Sequence, residues 1–300
     1  MPGAIEILGV PQSKPKIGLP KGATDCHTHV FGPVHRYPYA EDRVYTPPDA
    51  PLGELKRLHQ HIGVDRVVVV HPSPYGTDNQ ITLDAVTMLG ERARAVAVIP
   101  ATLGDDELAA LDVLGVRGVR LNLATAGVSD PTTIGLVVSA LAPKLADNGW
   151  HLQLNTSLAV IDQLADRLST LPITVVFDHF GGAQAAKGAG QPGFRTLTDL
   201  MKSGQVYVKV SAGYRVSSRP DQSDVAALAE TLIAANPDRV IWGTDWPHPG
   251  AHRSGRPISE TEPFQRIDNG AAVDRLAGWA GSAELLYKIL VQNPQRLYGF

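Results

Sequence analysis

Short, almost continuous apolar runs recur along the chain, each flanked by polar or turn residues. "RVVVVHPS" carries four consecutive valines, which suit a buried strand because β-branched side chains favour extended backbone. "RAVAVIP", "VRGVRLNL", "WHLQLNT", "ITVVFDHF", "VYVKVSAG" and "RVIWGTDWP" have the same character, and "GATDCHTHV" precedes them all. Between these runs the apolar spacing turns helical. "PLGELKRLHQHIG" ends at Gly63, "DDELAALDVLG" opens with acidic residues that suit a helix N-terminus, and "LAVIDQLADRLSTL" predicts one amphipathic helix. "NQITLDAVTMLGER", "TIGLVVSALAPKLADNG", "FRTLTDLMKSG" and "SDVAALAETLIAAN" supply further helices, and "RLAGWAGSAELLYKILVQNPQRLYGF" closes the chain with more. Strands that are apolar throughout, rather than alternating, belong to a parallel sheet covered by helices. About eight βα units in this order predict an α/β fold, a closed (β/α)8 TIM barrel. An open doubly wound sheet needs a glycine-rich phosphate loop after a strand, and "DCHTHVFGP" is not one.

Residues 1–22, rich in Pro, Gly and Lys, read as an N-terminal arm, with residues 23–300 as a single barrel domain. "FGPVHRYPYAEDRVYTPPDAPLGEL" reads as a long ordered loop. A net charge of -3 provides no basic field for nucleic acid. No run approaches the roughly 20 apolar residues of a membrane span, so the expectation is a cytoplasmic protein. The oligomeric state stays open. A single cysteine, Cys26, excludes an intrachain disulfide and a multi-cysteine zinc knot. Strand alternation turns it away from its histidine neighbours, as a small packing residue.

Barrel active sites form at the C-terminal ends of the strands. Here those ends carry His27 and His29, His71 and Ser73, Arg120 and Asn122, Gln153 and Asn155, Asp178 and His179, Lys209 and Ser211, and Asp245. Taken singly, each has a structural explanation: His71 as a pocket wall, Asp178 as a cap or an orienting partner. His27 and His29 share one strand face. Together with His179 and Asp245 they place four ionisable groups at the first, first, sixth and eighth strand ends. That points to catalysis, or to metal binding.

"DCHTHVFGP", "VVFDHFGG", "WGTDWPHP" and the ending "NPQRLYGF" resemble the amidohydrolase superfamily. "FGPVHRYPYAEDRVYTPPDAP", "YGTDNQ", "GVRGVRLN" and "VKVSAGYRVS" are similar to its 2-pyrone-4,6-dicarboxylate lactonase branch, across nearly the whole chain. The resemblance implies hydrolysis of a small anionic lactone from aromatic degradation to an open-chain carboxylate. Asp245, His27, His29 and His179 are then catalytic, with the histidines as donors to the carbonyl oxygen and Asp245 passing a proton from water to the ring oxygen. Arg120 and Arg215 match carboxylate-binding arginines, Tyr45 matches a pocket tyrosine, and Asn155, Ser73 and His248 complete the substrate contacts. Asn155 stands where metal-dependent members bring a fifth-strand histidine. The branch that lacks this histidine works without metal, so no cofactor is expected. The alternative is a divalent ion such as zinc on His27, His29, His179 and Asp245, with the chain a metal-dependent hydrolase or decarboxylase on another small acid. A second alternative is a non-catalytic small-molecule-binding barrel. The basic residue that the branch carries shortly after "RLN" is missing from "LNLATAGVSD".

Overall fold

The computed structural model describes residues 3–250 and 257–300. Residues 1 and 2 of the expected arm lie outside the described residues. The rest of the arm carries a small antiparallel hairpin, β1 (Ile5–Ile7) and β2 (Val10–Gln12). It is tied to the end of the chain: Gln12 Oε1 accepts from the Asn269 backbone at 2.8 Å, and the Ser13 N–H donates to Asp268 at 3.0 Å.

Eight parallel strands follow: β3 (Thr24–Thr28), β4 (Arg66–Val70), β5 (Ala93–Ala97), β6 (Val116–Leu121), β7 (His151–Leu154), β8 (Val175–Phe177), β9 (Val206–Lys209) and β10 (Val240–Ile241). Each pairs with its sequence neighbour, in the order β3 to β10. The seam between last and first closes through single backbone bonds. The Cys26 N–H donates to Trp242 O (2.9 Å), the Asp245 N–H to His27 O (2.8 Å) and the His29 N–H to Trp246 O (2.8 Å). The architecture is a (β/α)8 barrel.

The two faces of the strands pack into two cores. Val67, Val69, Val175, Phe177, Val206 and Val208 meet the surrounding helices. Val68, Val70, Val96, Val176, Tyr207 and Ile241 fill the barrel interior with Tyr298 below. Cys26 belongs to this interior set, which corrects the expectation that it turns away. The β3–β4 register shifts between Asp25 and Thr28, and a bulge there breaks strict alternation. The single helix expected over "LAVIDQLADRLSTL" is instead two, Leu158–Gln163 and Ala165–Ser169, interrupted at Leu164.

Candidate active site

The four predicted groups converge on one oxygen. Asp245 Oδ1 lies 3.5 Å from His27 Nε2, 3.5 Å from His29 Nε2 and 3.8 Å from His179 Nε2. All four side chains are buried. The elements beneath them fix each ring. His29 Nδ1 is 2.8 Å from Val70 O, a pure acceptor, so Nδ1 carries a hydrogen. His179 Nδ1 sits 2.9 Å from Ser211 Oγ at the end of β9. His27 Nδ1 faces Asp178 Oδ1 at 3.1 Å.

Electrostatics sharpen this. Burial holds the His27 imidazolium well below its ordinary range and takes His179 down to about 4, so both rings are neutral near pH 7. Burial alone raises the Asp245 carboxyl. The Arg215 guanidinium is the main influence against this, and Asp245 is held well below the usual carboxylate range. Asp245 Oδ2 accepts from Arg215 Nε at 2.8 Å and from Tyr214 Oη at 2.5 Å. Among the described residues Oδ1 has no hydrogen-bond partner, and neither has His27 Nε2.

The cleft over this cluster is small, with about 20 Å³ of free space. His29, Tyr45, Ser73, Arg120, Asn155, His179, Arg215 and Asp245 are among the residues that line it. Through Asn155, His179 and Arg215 it joins a cavity of 590 Å³ bounded by the segment after β6. Arg120 reaches the cleft with its Nε anchored on Asp178 Oδ2 at 3.0 Å. Arg215 is more committed than expected, since its Nη2 also donates to Pro249 O at 2.8 Å. Tyr45 is bonded to Ser73, and burial raises its hydroxyl pKa, so it stays a donor. Asn155 donates to Asn122 Oδ1 at 2.7 Å.

Two residues lie elsewhere. His248 does not line the cleft: its Nε2 meets Asn269 Nδ2 at 3.1 Å, its ring packs edge-on to Tyr214, and it borders a separate cavity beside the hairpin. His248 adopts a left-handed φ of 69°, and the residues after it, Pro249 and Gly250, still line the cleft. His71 is spent on structure, with Nδ1 3.0 Å from Thr82 Oγ1 and Nε2 3.1 Å from Gly76 O. Tyr214 went unnoticed in the sequence. It adjoins Arg215, but nothing in "GYRV" shows that this short helix, Gly213–Val216, folds over Asp245.

The donor set also suits a cation. His27, His179 and Asp245 offer three ligand atoms within 4.8 Å of one another. Three protein ligands with an open position are the usual form of a catalytic zinc site, and ligating histidines are held through their other nitrogen, as here. Asn155 does not enter this set, so the absence of a fifth-strand histidine leaves it intact.

A family model for amidohydrolases matches residues 24–300. The chain belongs to the amidohydrolase family. A 4-sulfomuconolactone hydrolase of Hydrogenophaga intermedia is 39% identical to this amidohydrolase, over 94% of the chain and 90% of the relative. A 2-pyrone-4,6-dicarbaxylate hydrolase of Comamonas testosteroni is 37% identical, over 99% of the chain and 96% of the relative. The crystal structure of an Agrobacterium tumefaciens protein superposes with a TM-score of 0.80 at 27% identity, covering 95% of this amidohydrolase and 98% of that chain.

Proposed function

We propose that this amidohydrolase opens a small anionic lactone with water, giving an open-chain carboxylate, as the names of its relatives indicate for them. The observation that carries the reading is the Asp245 carboxylate, ionised and buried, with one oxygen clamped and the other facing three imidazole nitrogens over the cleft. Oδ1 takes a proton from the attacking water and delivers it to the ring oxygen as the acyl bond breaks. A positioned carboxylate can serve in both directions. Arg120 holds the substrate's acidic group with its planar fork, and the Tyr45 hydroxyl donates from the cleft wall.

The histidines take a different role from the one expected of them. In its neutral form His29, with the Nδ1 hydrogen given to Val70 O, has only a lone pair left at Nε2 and would serve as an acceptor or ligand rather than an oxyanion donor. Lone pairs facing a carboxylate oxygen call for a cation between them. A divalent ion held by His27, His179 and Asp245 would polarise the lactone carbonyl and lower the pKa of a bound water. The expectation of a metal-free site rested on amides at Gln153 and Asn155 and on the resemblance to a branch that works without metal; these three ligands do not use the Asn155 position.

The test is hydrolysis across a panel of anionic and neutral lactones by the wild type and Asp245→Asn. Loss of a general base costs about 10²–10⁴-fold in rate. A drop of that size in kcat, with product still bound, is the expected result. Undiminished turnover by Asp245→Asn sinks the assignment.

A further inference from the structure

A second polar layer lies directly beneath the reacting groups. Arg120 (β6), Gln153 (β7), Asp178 (just after β8) and Lys209 (β9) point into the barrel, and all four are at least 95% buried. A lysine with no exposed surface in a barrel core is costly unless its ammonium has a full set of acceptors. Lys209 Nζ donates to Cys26 O at 2.9 Å and to Gln153 Oε1 at 2.7 Å. One N–H remains, with two possible targets. Asp178 Oδ1 is 3.4 Å away and His27 Nδ1 is 3.3 Å away.

This choice decides which nitrogen of His27 carries the hydrogen. If Lys209 donates to His27 Nδ1, the ring must protonate Nε2 and present an N–H to Asp245 Oδ1 across 3.5 Å. If Lys209 turns to the carboxylate, Nδ1–H can give its hydrogen to Asp178 Oδ1, which lies 3.1 Å away and has no hydrogen-bond partner among the described residues. An ammonium prefers a carboxylate to a neutral ring nitrogen, because the charge-assisted bond is about twice as strong. Asp178 is held in place for this from its other side: Oδ2 accepts from Arg120 Nε at 3.0 Å and from Gln153 Nε2 at 3.1 Å.

We propose that Lys209 is a positioning residue which, acting through Asp178, fixes His27 as the Nδ1–H tautomer with its Nε2 lone pair aimed at Asp245 Oδ1. The inference rests on reading His27 and Asp245 as the reacting centre, but its deciding measurement needs no turnover. In protein labelled with 15N-histidine and freed of metal by chelator, so that no ion on Nε2 sets the tautomer, the His27 ring, assigned by its loss in His27→Gln, should show the hydrogen on Nδ1. Lys209→Met keeps the stem and removes the charge. It should lower kcat at least tenfold with KM changed less than twofold, and leave His27 a mixture of tautomers. In an Asp178→Asn background the same substitution should cost less than twofold, because the carboxylate it served is gone. If Lys209→Met does not fold, Lys209→Gln, which keeps a donor for Cys26 O, replaces it in both backgrounds. A wild-type His27 protonated at Nε2 overturns the proposal, as does an unchanged tautomer in the lysine variant or a full, additive loss in the double variant. A chain that hydrolyses no lactone, yet shows the tautomer and its dependence on Lys209, supports this inference and removes only the lactone reading.

Discussion

Asp245 adopts φ 63° and His179 φ 47°, a left-handed backbone that non-glycine residues rarely accept. Such strain costs roughly 1–3 kcal/mol and persists only where surrounding contacts enforce it. At Asp245 the enforcing contacts are Tyr214, Arg215 and the backbone bond to His27 O. Tyr214→Phe removes one bond to a charged oxygen, worth about 1.5–3 kcal/mol. Steady-state kinetics should show kcat down by roughly tenfold or more with KM little changed. A change confined to KM would place Tyr214 against substrate instead. The arginines separate in the same assay. Arg120→Met should reduce kcat/KM on anionic lactones by an order of magnitude or more, about 2 kcal/mol, beyond a smaller loss on neutral ones that comes from its bond to Asp178. Arg215→Met should lower kcat on both kinds alike, since its Nε serves Asp245. Equal losses on neutral and anionic lactones from Arg120→Met would make that residue structural. The sequence could group both arginines with the cleft. It could not divide their roles, because the division depends on a helix of four residues bending back over another strand's end.

At the level of elements, the site depends on the seam between β10 and β3. β10 pairs with β9 over only two residues, and the chain then runs beside His27 without a regular ladder. Gly243 makes that approach possible: a Cβ there would stand 2.5 Å from the His27 nitrogen and 2.6 Å from the His27 Cβ. Asp25 pins the same seam from outside, with Oδ1 accepting from the Thr244 N–H at 2.9 Å and Oδ2 meeting His59 Nε2 at 3.1 Å. Gly243→Ala should therefore cost about 1–3 kcal/mol of stability through overpacking. It should also reduce activity disproportionately by moving His27 against Asp245. Denaturant titration beside kinetics checks this, and a variant with wild-type values in both would show that the seam yields freely. The strand pattern made the eight units and their polar ends readable, since continuous apolar runs and terminal polar residues are local signals. The bulge in β3, the break at Leu164 and the use of Gly243 were not readable. Each answers to a neighbour distant in sequence.

On the scale of the whole molecule, the barrel assembles the three proposed ligands from distant parts of the chain, so the site exists only when the fold is closed. His27 comes from β3, His179 from the turn after β8 and Asp245 from the turn after β10. An ion that binds them binds the folded state and not the unfolded chain, and must stabilise it by RT ln(1 + [L]/Kd). At 100 times Kd this is about 2.7 kcal/mol. For a chain of this size the unfolding midpoint should rise by roughly 5 °C. The protein as purified should carry about one divalent ion per chain by elemental analysis. Chelator dialysis should lower the midpoint, and zinc should restore it. Asp245→Asn replaces a carboxylate with an amide, a poor zinc ligand, and should lose the response to added zinc while remaining folded. The stability readout stands apart from turnover, so it separates an ion that merely inhibits or activates from one that these three residues hold. A midpoint indifferent to zinc and chelator in the wild type, in protein free of metal yet fully active, would return the site to a metal-free mechanism, with Asp245 and a protonated imidazole sharing the work.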